Sequence, residues 1–333
     1  MSEPAHIRLF EPGDQEYAAV AHIAAQSPVE QLADFEYARA ANLRDFDASF
    51  EGSGHVLRRY VAEASGAIVA YAQLFHMPWL RESGHFWLNL RVAPAHGRRG
   101  IGGRLYEHLI ADLRELGATA AWIMAHESTP ALATGLERRG FHELFRSWPF
   151  TLDPRDFDLA RFQQAMDRVA AGGITITTLA AEHERDHACL PKLYELHTTI
   201  TREIPLPGHP HPAPGLAWFE RYACSSPLAL PEAFFIARDG ARYAGESFMQ
   251  RIEGLPGELS HKVTGVHGDY RGHGIAMALK LATIAYAQQH GYTRIWTAVE
   301  SNNPSMLAIN ARLGFVQWPG LIVLEKRIGE GGN

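Results

Sequence analysis

The densest set of groups able to do chemistry lies in residues 264–280, Thr-Gly-Val-His-Gly-Asp-Tyr-Arg-Gly-His-Gly-Ile-Ala-Met-Ala-Leu-Lys. A strand ending at Val266 runs into a basic turn, Arg271-Gly272-His273-Gly274, and then into a helix that opens with Ile275 and Ala276 and reaches Gln289. Gly272 and Gly274 permit backbone geometry that a Cβ obstructs. Because the turn opens a helix, free N–H groups and the positive end of the helix dipole converge on one point. Such a point suits a pyrophosphate. The spacing is Arg-x-x-Gly-x-Ala, with neither the Gly-Lys-Ser/Thr of a P-loop nor Gly-x-Gly-x-x-Gly. A second stretch, Asn303-Pro304-Ser305-Met306 followed by Ile309-Asn310-Ala311-Arg312-Leu313-Gly314-Phe315, reads as a helix and a turn.

The elements that must position these groups occur twice. Leu88 to Val92 leads into His96-Gly97-Arg98-Arg99-Gly100-Ile101-Gly102-Gly103, and the helix that follows places Ile101, Leu105, Leu109 and Leu113 on one stripe. Gly66 pairs with Gly240, Val92 with Val266, Gly100 with Gly274, Gly117 with Gly291, Trp122 with Trp296 and Phe141 with Phe315. All share one offset, 174 (Val266 minus Val92). The chain is therefore two copies of one α/β unit. We place the first copy at 1–153, a polar helical connector at 154–173 and the second copy at 174–333.

Length favours about two domains. An apolar share of 46% supplies real cores, and a net charge of −6 argues against a nucleic-acid surface. Two cysteines, Cys189 and Cys224, form no disulfide framework and fit a reducing compartment. The opening residues lack a signal-peptide profile, and no apolar run reaches the roughly 18 residues of a membrane span. The expectation is a cytoplasmic protein with no membrane or nucleic-acid partner, as a monomer or homodimer.

The two signature stretches together resemble the acetyl-CoA loop and companion helix of the GNAT superfamily of N-acetyltransferases, relatives of the histone acetyltransferases. The chain is similar to its tandem members of mycothiol-synthase-like two-domain architecture. The resemblance implies two α/β (α+β) domains, each a mixed, mostly antiparallel sheet flanked by helices. It implies acetyl-CoA as cosubstrate, no metal, and an amine acceptor attacking the thioester directly. Acetyl-CoA is then expected on Val266, Arg271, Gly272, His273, Gly274, Ile275, Ala276, Asn303 and Asn310. In the first copy, Gly97 stands for Arg271, Thr129 for Asn303, Leu136 for Asn310, Ala72 for Glu246 and Gly84 for Glu258. That copy reads as degenerate, with Val92, Arg98, Arg99, Gly100 and Gly102 left as a phosphate nest that could still hold the coenzyme. The second copy is expected to be catalytic.

By this likeness the backbone N–H near Val266 polarises the thioester carbonyl. An alkylamine of pKa about 10.4 is neutral in only about one molecule in 10³ at pH 7, a deficit of roughly 4.5 kcal/mol. A base or a water chain is therefore required. Relatives often carry a glutamate on the strand ending at Val266; position 260 is serine here. Period-two alternation puts 258, 260, 262 and 264 on one face, which leaves Glu258, with Glu246 on the preceding strand as the other candidate. Many relatives also carry a tyrosine four residues before the Gly-Phe turn to protonate the leaving thiolate, where this chain has Asn310, which cannot. The expected reaction is acetylation of a small-molecule amine. The alternatives are acetylation of a protein or peptide, and a non-catalytic CoA sensor.

Two other patterns carry less. His183-Glu184-Arg185-Asp186-His187 matches His-Glu-x-x-His, but the repeat places it in a solvated helix start, without a third ligand. His209 and His211 sit in a loop stiffened by five prolines between 205 and 214, which reads as a linker or a preformed lid rather than a metal site.

Overall fold

A computed structural model describes residues 5–26, 40–76, 84–204 and 215–329; the proline-rich loop, with His209 and His211, lies outside them. In chain order the first copy forms β1 (His6–Leu9), α1 (Asp14–Ala25), α2 (Ala40–Ala48), β2 (Leu57–Ala64), β3 (Ala67–His76), β4 (His85–Val92), α3 (Ile101–Glu115), β5 (Ala120–His126), α4 (Pro130–Glu137) and β6 (His142–Leu152). Then come α5 (Gln163–Ala171), β7 (Ile174–Thr178), α6 (Leu179–Arg185), α7 (Cys189–Arg202), α8 (Leu216–Phe219), β8 (Ala229–Asp239), β9 (Arg242–Ile252) and β10 (Leu255–Val266). The chain continues as α9 (Ile275–Gln289), β11 (Arg294–Glu300), α10 (Pro304–Leu313), β12 (Val316–Gln317) and β13 (Leu321–Arg327).

These elements form two compact units, and they do not divide where the repeat does. One unit holds residues 1–147 with 319–333, the other 148–318. In the first, β13 lies between β5 and β6, antiparallel to both, from Leu321 opposite His126 and Ser147 onwards. In the second, β12 pairs with Thr151 and Phe150 of β6. The last strand of the second copy is thus built into the first unit, while β6, the last strand of the first copy, pairs with β13 there through residues 142–147 and belongs to the second unit only through residues 148–152. Because the copies share one design, either terminal strand can fill the same slot. The stretch before β7, expected as a polar helical connector, is helical over Gln163–Ala171 and also packs into a core. Phe162 and Val169 are buried, and Val169 packs with Val266, Ile275 and Leu279 of the second unit.

The two long helices differ in what they bury. α3 is amphipathic, with Ile101, Leu105, Leu109 and Leu113 inward. α9 buries Ile275, Met277, Ala278, Leu279, Leu281 and Ile284, and even Lys280. A helix apolar on nearly every side belongs inside a core. Truncating Leu279 or Leu281 to alanine would cost about 2–5 kcal/mol.

The feature that positions the site is a split in each sheet. β10 and β11 pair in parallel from Glu258 opposite Arg294 to Ser260 opposite Trp296; beyond that the strands part. β4 and β5 likewise pair from His85 opposite Ala120 to Leu88 opposite Ile123 and then separate. β10 also carries a bulge between His261 and Thr264, whereas β4 pairs with β3 without a register shift. One extra residue there reverses which side chains face which layer.

Candidate active site

Where β10 and β11 part, a cleft of about 560 Å³ opens in the second unit, with Thr264, Gly265, Val266, Arg271, Gly272, Gly274, Ile275 and Ala276 in its wall. Met277, Asn303, Met306, Ile309 and Arg312 line it from the helices. The turn is built as its glycines require. Gly272 and Gly274 sit at φ +80° and +82°, a left-handed backbone that costs a residue with a Cβ about 1–2 kcal/mol. Gly274 is the N-cap of α9 and no side chain caps this terminus, so its first N–H groups face the cleft uncovered. Arg271 donates through Nε to the Val266 carbonyl (3.2 Å) and pairs through its outer nitrogen with Glu203, at the end of α7. Both Arg271 and Glu203 line the cleft.

The strand edge supplies a further donor. His267 N–H bonds the Ala244 carbonyl (2.9 Å) on the β9 side. Strand amides alternate, so the Val266 N–H points the other way, to the edge that β11 has left.

Not every expected residue reaches the cleft. His273 turns back on its own loop, with Nδ1 3.3 Å from the Tyr270 carbonyl. Asn303 is in the wall and caps α10, its Oδ1 accepting from Met306 N–H (3.2 Å). Asn310 is fully buried; its Oδ1 accepts from Lys280 Nζ (2.7 Å), and it does not line the cleft. Lys280 also lies over the Phe315 ring, and burial lowers its pKa to about 7. This buried pair is invisible to a reading that treats position 310 as a ligand contact.

Of the two carboxylates, Glu258 is misplaced by the sequence argument. It stands eight residues before Val266, roughly 25 Å of extended strand, and is held by Arg294 (3.2 Å) and Trp296 Nε1. The bulge breaks the alternation that had put it on the cleft-side face. Glu246 is opposite Gly265 in the β9–β10 ladder and has no exposed surface. One carboxylate oxygen receives His197 Nδ1 of α7 at 2.6 Å, and the other has no hydrogen-bond partner. The sequence reading did not include His197. It occupies the same buried stripe of α7 as Leu193, Leu196 and Ile200, and an imidazole in an apolar stripe was the available signal.

On the opposite face of the same strands, Ser247 Oγ contacts His261 Nε2 and Thr264 Oγ1, both at 2.8 Å. Burial, helped by the Lys280 charge, holds the His261 pKa well below the ordinary imidazole range. Burial disfavours the thiolate form at both cysteines, pushing Cys189 up and Cys224 up to about 12. His183 and His187 are both exposed and do not share a helix, because α6 ends at Arg185.

The first unit has a cleft of about 450 Å³ at the corresponding split, lined by Val92, Arg98, Gly100, Gly102 and Arg139 among others; Arg99 is not in its wall. Arg98 occupies the position of Gly272 and keeps its left-handed backbone, at φ +58°.

The model of the acetyltransferase (GNAT) family matches residues 19–141 and 201–315, more than half of the chain and once per copy. The chain belongs to the GNAT family. As such it is an acyltransferase of the acetyl-CoA-dependent kind, moving acetyl to an amine. It is 26% identical over 288 residues to the mycothiol acetyltransferase of Amycolatopsis mediterranei (strain U-32), covering 80% of this chain and 82% of that one. It is 27% identical to the mycothiol acetyltransferase of Saccharomonospora viridis, at 80% and 82% coverage. Among solved structures, a tandem GNAT protein from the clavulanic acid biosynthesis pathway superposes with a TM-score of 0.65. Its sequence identity is 20%, and 98% of this chain and 100% of that chain are covered. A GCN5-related N-acetyltransferase from Sphaerobacter thermophilus gives 0.66 at 17% identity, over 98% and 97% of the two chains. These two structures share the GNAT fold. Among the described residues no helix is long and apolar enough to cross a membrane.

Proposed function

We propose that the second unit is the catalytic one and that it acetylates the amine of a small molecule. The observation that carries this reading is one cleft that joins a split strand pair, an uncapped helix terminus behind two left-handed glycines, and Arg271. These residues fit acetyl-CoA. The bare N–H groups of α9 and Arg271 would hold the pyrophosphate, and the unpaired edge of β10 would run beside the pantetheine arm. Bound there, acetyl-CoA supplies an activated acetyl thioester. Val266 N–H is then the edge donor for the carbonyl oxygen. Gly265 leaves the strand without a side chain beside it, and the Glu246–His197 pair lies across the ladder from Gly265, where an amine can be relieved of its proton. The mycothiol acetyltransferases among the relatives support a small acceptor over a protein.

The test is release of free thiol from acetyl-CoA with a panel of amines and aminosugars, run on wild type, Gly274→Glu and Gly100→Glu. The first substitution should abolish both turnover and the calorimetric binding isotherm of the second unit, because it puts a side chain and a negative charge where the phosphates would sit. The second should leave turnover largely intact. Loss of turnover in Gly100→Glu alone would assign catalysis to the first unit. Binding without turnover for any amine or peptide would favour a CoA sensor.

A further inference from the structure

Glu246 is placed to matter but not to touch a substrate. It has no exposed surface, and one of its oxygens is already occupied by His197 Nδ1 at 2.6 Å. A neutral imidazole facing a carboxylate in this way carries its proton on Nδ1, which leaves Nε2 with a free lone pair. We propose that His197 Nε2 takes the proton from the acceptor amine and that Glu246 acts behind it, holding the ring. The inference rests on acetyl transfer in the second unit.

The geometry supports this on three sides. His197 lies one helical turn before Ile200, about 4.5 Å along α7, and Ile200 is both in the cleft wall and packed on Gly265. The ring is itself buried and not part of the wall, one turn from the residue that is. Phe219 of α8 packs on it at a centroid distance of 4.6 Å and fixes its plane. Among the described residues, the charged side chains of α7 besides those named next are Lys192, Glu195 and Arg202, and Lys192 pairs with Asp186. β9 brings Glu246, α7 itself brings Glu203 further along, engaged by Arg271, and β10 turns its His261 to the opposite face with Ser247, the side on which Lys280 also lies. Among the described residues, the one hydrogen bond of the ring is to Glu246.

The step balances without another reactant. The amine nitrogen forms the C–N bond to the acetyl carbon, its proton passes to Nε2, and the C–S bond breaks with the electron pair leaving on sulfur. The thiolate then takes a proton, and the imidazolium returns its own to solvent. A carboxylate on Nδ1 offsets the charge that the ring acquires during the step.

The discriminating variants are His197→Asn, His197→Gln and Glu246→Gln. Asparagine can keep a donor near the Nδ1 position, and so the bond to Glu246, while removing Nε2. Each variant is measured for kcat between pH 6 and 10, for acetyl-CoA affinity by calorimetry and for melting temperature. His197→Asn should melt near wild type, bind acetyl-CoA as before, and lose about 10²-fold or more of kcat at pH 7. Its remaining activity should climb with pH towards the acceptor's own pKa. In Glu246→Gln the acidic limb of the profile should move to lower pH. If folded His197→Asn and His197→Gln both turn over with the wild-type profile, the proposal is overturned while the acetyl-transfer reading stands. A loss confined to Glu246→Gln also overturns it, in favour of the carboxylate as direct base. A wild-type protein that binds acetyl-CoA but acetylates no amine defeats both.

Discussion

Replacing Gly265 by alanine puts the packing of α7 on β10 to a direct test. A Cβ built at Gly265 would come within 2.0 Å of Ile200 Cγ2 and 3.2 Å of Ile200 Cβ. Contacts under about 3 Å do not persist, so something must move. The strand is tied to β9 on one side, from Thr264 opposite Ser247 to Val266 opposite Gly245. Ile200 is β-branched and in a helix has essentially one rotamer. The yielding part is therefore the whole of α7, and the cost should be near the upper end for overpacking, about 3 kcal/mol. For a unit of this size that is a fall of about 6–12 °C in melting temperature. Movement of α7 also carries His197 away from Glu246, so kcat should fall with stability. Ile200→Ala alone should cost about 2–4 kcal/mol through the cavity it leaves. Combined with Gly265→Ala it supplies the missing room, and the double variant should be less destabilised than the sum by at least about 1 kcal/mol. Urea unfolding of the four proteins measures this coupling. Additive costs, or a neutral Gly265→Ala, would refute the claim that the glycine exists to let the helix approach.

Arg98 holds a left-handed backbone that Gly272 adopts freely in the other copy, so Arg98→Gly should stabilise the first unit by about 1 kcal/mol in urea unfolding, and a loss of stability would contradict the strain. Lys280 has a pKa lowered by burial to about 7, against about 10.5 in the unfolded chain. The unfolded state then binds more protons between those values, so stability should rise as pH goes from about 7 to 10, and the slope should shrink in Lys280→Met; an unchanged slope would show that Lys280 does not titrate in this range.

What could be read beforehand was what is local in sequence. The turn at Arg271 to Ala276 has its own glycines, cap and helix within a few positions, and the repeat located the matching turn around Gly100. What could not be read depends on contacts far along the chain. A bulge between His261 and Thr264 changes the facing of β10 without a distinctive residue to mark it, and Glu258 was misjudged for that reason. Asn310 was placed by analogy of position, but Lys280, one helix away, holds it inside. His197 and Glu246 are 49 residues apart, and only the packing of α7 on β9 brings them together. The two terminal strands are interchangeable by design, so their exchange leaves no trace in a periodic sequence.

That exchange bears on how the protein is made. Residues 148–318 form the second unit from a continuous stretch, whereas the first unit needs β13, which is inserted between β5 and β6. Domains usually fold in the order they leave the ribosome. Here the earlier copy is translated first and completed last. Its sheet stays open along β5 and β6 until residue 327 has been synthesised, while its neighbour can already have closed. During that interval two hydrogen-bonding strand edges are uncovered, and a nascent chain of this protein must keep them from pairing with other chains.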